Sequence, residues 1–125
     1  MKAAAANTST VRRGREGEDR AVRFLEQNGY IVLERNFRVR DGEIDIIAQF
    51  ADTLVFVEVK TLPHGTVETL AHELNSTKQQ KILKTAKCYL QNHRQYSSSL
   101  IRFDVIAVDV PGLEPVHHIV NAFSE

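Results

Sequence analysis

The chain has 125 residues, of which 42% are hydrophobic and 26% are charged, and its formal net charge is zero. This length and composition suit one globular domain, and the balanced charge argues against tight nonspecific binding to nucleic acid. No apolar run approaches the roughly 18–20 residues that span a bilayer. Cys88 is the only cysteine, which excludes an internal disulfide and fits a reducing compartment, so we expect a cytoplasmic protein with no membrane partner.

Charge is unevenly distributed along the chain. Residues 1–40 carry nine basic and five acidic side chains, residues 41–75 carry one basic and seven acidic, and residues 76–102 carry six basic and none acidic. An acidic centre between two basic blocks suits a cation site flanked by a phosphate-binding surface. On composition alone, chance clustering on a solvated surface remains the simpler explanation.

The first predicted elements are a tail and a helix. We expect residues 1–12 to form a flexible tail and residues 13–125 to form one α/β domain. Apolar residues at steps of three and four predict a helix over residues 14–28. Gly29 is a natural stop for this helix.

Three strands are predicted next. Alternating and β-branched residues predict strands over residues 30–37, 43–50 and 53–61. Asp41-Gly42 and Ala51-Asp52 are turn signals between them. We expect these strands to form an antiparallel meander. Ile44, Ile46 and Ala48 are assigned to one face of the second strand.

The second half of the chain predicts a further helix and a return to the sheet. Residues 62–75 read as a loop with some helix over 67–73, and Ser76 with Gln79 predicts a capping box for a helix that ends near His93. A strand over residues 100–110 and a short edge strand over 116–123 follow. The fold class is therefore α/β, a mixed β-sheet flanked by helices in the order αβββαβ.

Three polar residues of the predicted meander form a candidate catalytic group. Glu58 and Lys60 share one face of the third strand because strand side chains alternate. Asp45 lies on the neighbouring strand and can point the same way. Two carboxylates that close repel and raise one pKa unless a cation intervenes.

Magnesium is the natural cation for such a group. It takes hard oxygen ligands and binds one or two carboxylates, so Asp45 and Glu58 are the predicted ligands, and the carbonyl of Val59 can supply a further oxygen. Lys60 can orient a water molecule or stabilise charge on a phosphoryl oxygen. These are the groups that hydrolysis of a phosphodiester requires.

The same residues carry a family resemblance. Asp45 followed by Glu58-Val59-Lys60 resembles the PD-(D/E)xK nuclease motif, and the order of motifs is similar to that of archaeal Holliday-junction resolvases. The chain resembles the YraN-like family still more closely. This family consists of small bacterial proteins whose endonuclease activity is inferred. The matching segments are Gly14-x-x-Gly17-Glu18-x-x-Ala21, Arg35-Asn36, Gly42–Ala48, Val55–Thr61, Lys78, Ala86, Tyr89-Leu90 and Arg102–Val105.

The resemblance implies a fold of the restriction-endonuclease type but does not supply a substrate. Together with the carboxylate–lysine group, it leads to the hypothesis of a metal-dependent endonuclease acting on DNA, with branched or structured DNA as the favoured substrate. It implies Mg²⁺ or Mn²⁺ as the cofactor and makes a homodimer plausible. Glu18 is then a further metal ligand, although a helix-edge glutamate bonded to an arginine is an almost equal alternative. Phosphate contacts are assigned to Arg13, Arg15, Lys78 and Lys81.

Two other functions stay open at this point. The family usually places arginine after the Lys-Thr of its core motif, whereas Leu62 stands there in this chain. Together with the zero net charge, this substitution keeps open a nucleic-acid-binding module that has the nuclease fold without turnover. A protein-interaction domain with a structural carboxylate cluster is the third alternative.

Overall fold

The computed structural model describes the backbone of residues 2–125 and the side chains of residues 11–125. One five-stranded sheet has the spatial order β1-β2-β3-β4-β5, in which β3 and β4 are parallel and the other neighbours are antiparallel. The elements are α1 (Lys2–Gln27), β1 (Ile31–Val39), β2 (Gly42–Phe50), β3 (Thr53–Thr61), α2 (Val67–Glu73), α3 (Ser76–Gln91), a 3-10 turn (Arg94–Tyr96), β4 (Leu100–Val108) and β5 (Val116–Phe123).

The predicted fold class is confirmed. The meander, the crossover helix and the mixed sheet all occur in the expected order, an arrangement consistent with a restriction-endonuclease-like fold. Helix α1 begins before the predicted start at residue 14, and it ends just before Gly29, whose φ of 88° suits glycine. The side chains of residues 1–10, most of the expected tail, lie outside the described part, so the flexibility of residues 1–12 stays a prediction.

Helices cover both faces of the sheet, which divides the core in two. On the α1 face, α1 packs on the buried side chains of Ile46, Ala48, Val55, Val57, Ile106 and Val108. On the α3 face, α3 packs on those of Ile44, Ile47, Leu54, Phe56 and Phe103. Because both faces are apolar, alternation of apolar and polar residues cannot assign a strand residue to a face.

Two local predictions were wrong. Ile44 was assigned to the face of Ile46, but it packs with Ile47 on the α3 face, since the regular alternation of β2 is interrupted at Asp45.

The capping box was misplaced by one residue. Asn75, not Ser76, caps α3, and its side-chain oxygen accepts a hydrogen bond from the N–H of Lys78 at 3.0 Å. The side chain of Gln79 donates instead to the carbonyl of Leu74, at 2.8 Å. Asparagine at this position is as good a cap as serine.

The crossover between β3 and β4 positions the candidate catalytic group. Because β3 and β4 are parallel, the chain must return across one face, and α2 and α3 make that return. The crossover starts where β3 ends, so the first turn of α3 comes to lie beside the carboxyl end of β3. Among residues 2–125, no helix is both long enough and apolar enough to cross a membrane.

Candidate active site

Asp45 is fixed against the backbone of β3. Its Oδ2 accepts a hydrogen bond from the N–H of Val59 at 2.8 Å. The β-ladder between β2 and β3 ends at the pair Ile46 and Val57, so the Asp45 side chain satisfies a backbone donor that lies beyond the ladder. Val59 directly follows Glu58, whose charge acts on Asp45, and the bond therefore holds the Asp45 carboxylate near that of Glu58.

The backbone of Val59 also presents an oxygen at this edge. The N–H and C=O of one strand residue point toward the same neighbouring strand. Since the N–H of Val59 points to Asp45, its carbonyl lies on the side of Asp45 as well. Of the predicted ligand set, the Asp45 carboxylate and the Val59 carbonyl therefore face the same side of β3.

The electrostatic environment of Asp45 is strongly perturbed. Burial, followed by the nearby charge of Glu58, raises the pKa of Asp45 to about 7, whereas the hydrogen bond from the N–H of Val59 opposes the shift. The charges of Glu18 and Glu43 contribute in the same direction as Glu58. Burial and the neighbouring carboxylates thus disfavour the ionised form of Asp45, and a cation beside it would favour that form.

Glu58 lies on the α3 face of β3 with only 6% of its side chain exposed. Its Oε2 is 3.3 Å from Nζ of Lys78 and 3.6 Å from Nζ of Lys60. A buried carboxylate is costly unless it is paired, and the two ammonium groups provide that pairing. Lys78 was predicted from sequence as a phosphate contact, and it contacts Glu58 of the candidate catalytic group.

Lys60 bridges two carboxylates. Besides Glu58, its Nζ lies 3.4 Å from Oε1 of Glu73 at the end of α2. The Lys60 side chain is 22% exposed, so its ammonium is held in place while solvent still reaches it. Sequence reasoning did not find Glu73, because nothing local shows how residues 62–75 fold back toward β3.

Glu18 faces β1 from α1. Its Oε1 accepts hydrogen bonds from Nε of Arg35 at 2.9 Å and from the side-chain amide of Asn36 at 3.1 Å. Asn36 has a φ of 55°, a conformation that asparagine tolerates better than most residues. The sequence allowed two interpretations of Glu18, and this contact matches the one in which a helix-edge glutamate bonds to an arginine. A direct role of Glu18 as a metal ligand stays a prediction.

The four predicted phosphate contacts fall in two places. Arg13 and Arg15 are exposed on α1, and neither forms an ion pair with a described side chain. Lys81 is exposed one turn beyond Lys78. It lines a cleft between the β1–β2 hairpin and α3 together with Val39, Arg40, Asp41, Lys84, Thr85 and Cys88.

Within residues 11–125, no group of three or more His, Cys, Asp or Glu side chains is arranged to hold a metal ion. The donor set predicted from sequence is smaller, two carboxylates and a backbone carbonyl. Such a set is typical of Mg²⁺, which keeps several water ligands, and it does not suit a structural zinc site.

Comparison with known proteins assigns the chain to a family. The family described as "Uncharacterised protein family UPF0102" matches residues 17–108, a range that includes Glu18, Asp45, Glu58, Lys60 and Lys78. A "UPF0102 protein" of Geobacter metallireducens is 46% identical over 111 residues, which cover 88% of this chain and 90% of the relative.

Other relatives show a similar level of identity. A "UPF0102 protein" of Treponema denticola is 42% identical over 123 residues, covering 90% of this chain and 95% of its own. One of Persephonella marina is 42% identical over 111 residues, covering 89% and 92%. These matches confirm the YraN-like resemblance, and the chain belongs to the UPF0102 family.

Proposed function

We propose that this chain is a divalent-metal-dependent endonuclease that hydrolyses phosphodiester bonds in DNA, with branched or structured DNA as its substrate. One observation carries the proposal. Asp45 is bonded to the N–H of Val59 beside the buried Glu58, and its pKa is raised to about 7. Strongly perturbed carboxylates beside a fixed lysine are a common mark of catalytic sites.

Asp45, Glu58 and the carbonyl of Val59 would hold Mg²⁺ or Mn²⁺. The fit rests on the oxygen donors and on the raised pKa of Asp45, which burial and then the charge of Glu58 cause and which a bound cation would lower. A bound divalent ion would supply positive charge that polarises the phosphoryl group and eases attack by water. Glu18 would act from a distance, since its charge contributes to the field at Asp45.

Lys60 would act on the reacting phosphate. Its ammonium is positioned by Glu58 and Glu73 at 3.6 Å and 3.4 Å, so little reorganisation is needed when substrate arrives. A positioned cation stabilises the negative charge that develops on the phosphoryl oxygens. It also orients an attacking water molecule by hydrogen bonding.

The nucleic acid would be held by basic residues around this site. Lys81 lies one turn beyond Lys78 on α3 and lines the cleft beside the β1–β2 hairpin, and Arg13 and Arg15 are exposed on α1, which covers the other face of the sheet. Contacts of this kind bind the phosphate backbone without reading sequence. A homodimer that cuts two strands, and a cytoplasmic location, belong to the same proposal.

The test is cleavage of fluorescent DNA substrates in Mg²⁺ or Mn²⁺. Four-way junctions, flaps, single strands and duplexes would be compared for wild type, Asp45→Asn and Lys60→Met. Asp52→Asn is a matched control, because Asp52 is exposed in the turn at the other end of β2. We expect cleavage by wild type and by the control alone. Unchanged cleavage by Asp45→Asn would contradict the proposed site.

A second candidate is a nucleic-acid-binding module without turnover. The observation in its favour is that both Lys60 and Lys78 already neutralise Glu58, as a purely structural ion pair would. It predicts DNA binding that weakens with salt but does not respond to Mg²⁺ or to Lys60→Met. DNA binding that is strengthened by Mg²⁺ in wild type, and not in Asp45→Asn, would exclude it.

A further inference from the structure

We propose that Lys78 is a resident counter-ion of Glu58 which a divalent cation displaces, so that the ammonium of Lys78 is free to bind a substrate phosphate only when the metal site is filled. This inference rests on the proposed metal-dependent function. It assigns to Lys78 a role in coupling metal binding to substrate binding, in addition to phosphate contact.

The contacts at Glu58 distinguish the two lysines. Oε2 of Glu58 is shared by Lys78 at 3.3 Å and Lys60 at 3.6 Å. Lys60 has a second acidic partner in Glu73, whereas among the described residues Lys78 is paired with Glu58 alone. If Glu58 engaged another cation, Lys60 would stay anchored and Lys78 would not.

The position of Lys78 in α3 makes it the mobile partner. Lys78 lies in the first turn of the helix, and this turn contains no acidic residue. A cation near a helix N-terminus is disfavoured by the helix dipole, so the helix does nothing to hold the ammonium there. The side chain is 36% exposed against 6% for Glu58, and its flexible stem can swing into solvent.

Competition at one carboxylate oxygen follows from electrostatics. A divalent cation and the Lys78 ammonium repel each other when both contact Oε2 of Glu58. Metal binding therefore releases Lys78 beside the reacting phosphate. By linkage, a phosphate that captures Lys78 favours the metal by the same factor.

The test is isothermal titration of Mg²⁺ and Mn²⁺ into the full chain at pH 8. Lys78→Met removes the ammonium and keeps the aliphatic stem, so we expect metal affinity to rise about two- to fivefold, the worth of a partly exposed ion pair. Lys78→Arg should bind metal as wild type does. Lys81→Met, one turn further along α3 and exposed, is the control and should leave metal affinity unchanged.

A second readout is DNA binding by fluorescence anisotropy, with Lys60→Met in every protein to block turnover. Adding Lys78→Met should weaken binding in Mg²⁺ but not in EDTA, whereas adding Lys81→Met should weaken it in both. If Lys78→Met does not fold, Lys78→Gln takes its place.

The possible failures are distinguishable. Wild type that binds metal, with equal or weaker metal binding by Lys78→Met or its replacement Lys78→Gln, overturns the counter-ion role and leaves the proposed function intact. Wild type that binds no metal, with or without DNA, overturns both.

Discussion

The carboxylate of Asp45 accepts a hydrogen bond from the peptide N–H of Val59 at 2.8 Å, beyond the point where the ladder between β2 and β3 has ended. This bond places the Asp45 carboxylate beside Glu58. Burial and the charge of Glu58 raise the pKa of Asp45 to about 7. An arrangement that concentrates like charge destabilises the fold locally. Such a cost is typical of residues retained for function.

The first prediction concerns the stability cost of Asp45. Asp45→Asn keeps the oxygen that accepts from Val59 and removes the charge beside Glu58. We expect the free energy of unfolding to rise by about 1–3 kcal/mol at pH 8 without metal, because one pKa unit corresponds to about 1.4 kcal/mol and relaxation reduces the full effect. Urea unfolding in EDTA measures it, with Asp52→Asn as the exposed control.

The pH dependence gives this prediction its sign. A carboxyl whose pKa is raised on folding favours the folded state fully below its unfolded pKa, about 3.9, and loses that contribution as pH rises through about 7. The advantage of Asp45→Asn over wild type should therefore be small near pH 4 and reach its full value above pH 7. A difference that is constant across this range would contradict the raised pKa of Asp45.

Local sequence signals were sufficient for most of the fold. The bounds of β3 and β5 agree with their predicted bounds, because alternating residues and turn signals such as Ala51-Asp52 act over a few residues. The sequence placed Asp45 and Glu58 on neighbouring strands, and the charge of Glu58 does act on Asp45. One premise for a shared face was wrong, since Ile44 and Ile46 lie on opposite faces of the sheet. Hydrogen bonding to Val59 was not predicted, because it replaces a regular ladder contact.

Contacts that depend on the path of the chain could not be predicted. Glu58 meets Lys78, and Lys60 meets Glu73, only because the crossover through α2 and α3 returns to the carboxyl end of β3. The sequence showed a turn-rich segment there but not its direction. The wrong face for Ile44 has a related cause, since the helix that covers it is distant in sequence.

A second buried carboxylate lies away from the candidate site, on β4. Asp104 is fully buried, and its oxygens accept from Arg102 at 2.9 Å and 2.7 Å and from the N–H of Asn121 at 2.9 Å. Its Oδ2 is also 2.7 Å from Nε2 of His118. Arg102 continues the network to the hydroxyl of Tyr30 at 2.6 Å. These contacts tie β4 to β5 and to Tyr30, which directly precedes β1.

The second prediction is that Asp104 supports stability at neutral pH. Burial alone would raise the pKa of Asp104, but the hydrogen bonds from His118, Arg102 and Asn121 outweigh burial and lower it. Its contribution is therefore complete above the unfolded pKa near 3.9 and is lost as pH falls through the lower folded value.

Asp104→Asn tests this contribution. We expect it to cost roughly 2–4 kcal/mol at pH 7, because it leaves the partly buried guanidinium of Arg102 without its charge partner. Urea unfolding at pH 7 and pH 3 measures the change, and the cost should shrink at the lower pH. The exposed Glu114→Gln is the control. An Asp104→Asn protein as stable as wild type at pH 7 would show that the network is not stabilising.

The third prediction compares two glycines of α1. A Cβ at Gly17 would overlap the hydroxyl of Thr61, which follows Lys60 on β3, whereas a Cβ at Gly14 meets nothing within 4 Å. Gly17→Ala should therefore destabilise by about 1–3 kcal/mol through forced separation of α1 from the sheet. Gly14→Ala should stabilise by roughly 0.5–1 kcal/mol, because alanine is the better helix former.

Chemical unfolding of both variants separates packing from helix propensity. A Gly17→Ala protein that gains stability as Gly14→Ala does would mean that Thr61 can move aside. The Thr61 hydroxyl is buried and has no described hydrogen-bond partner. Rotation of the Thr61 side chain would therefore break no described hydrogen bond and could make room for the new methyl group.

The last prediction concerns the cleft between the β1–β2 hairpin and α3. Arg40, Lys81 and Lys84 line it, and none of the three forms an ion pair with a described side chain. If a DNA strand leaves the candidate site through this cleft, each cation releases about one counter-ion on binding. The triple alanine variant should then lower the slope of log affinity against log salt concentration by about 2–3.

A charge-matched control decides between a defined path and general attraction. Arg23, Lys87 and Arg94 are exposed basic residues outside this cleft, and their triple alanine variant removes the same charge. Fluorescence anisotropy from 50 to 300 mM salt gives both slopes. Salt screens general electrostatic attraction beyond about 10 Å. A larger loss of slope in the cleft variant than in the control variant would therefore come from direct contacts with phosphates. Equal losses in the two would show that the cleft does not carry the strand.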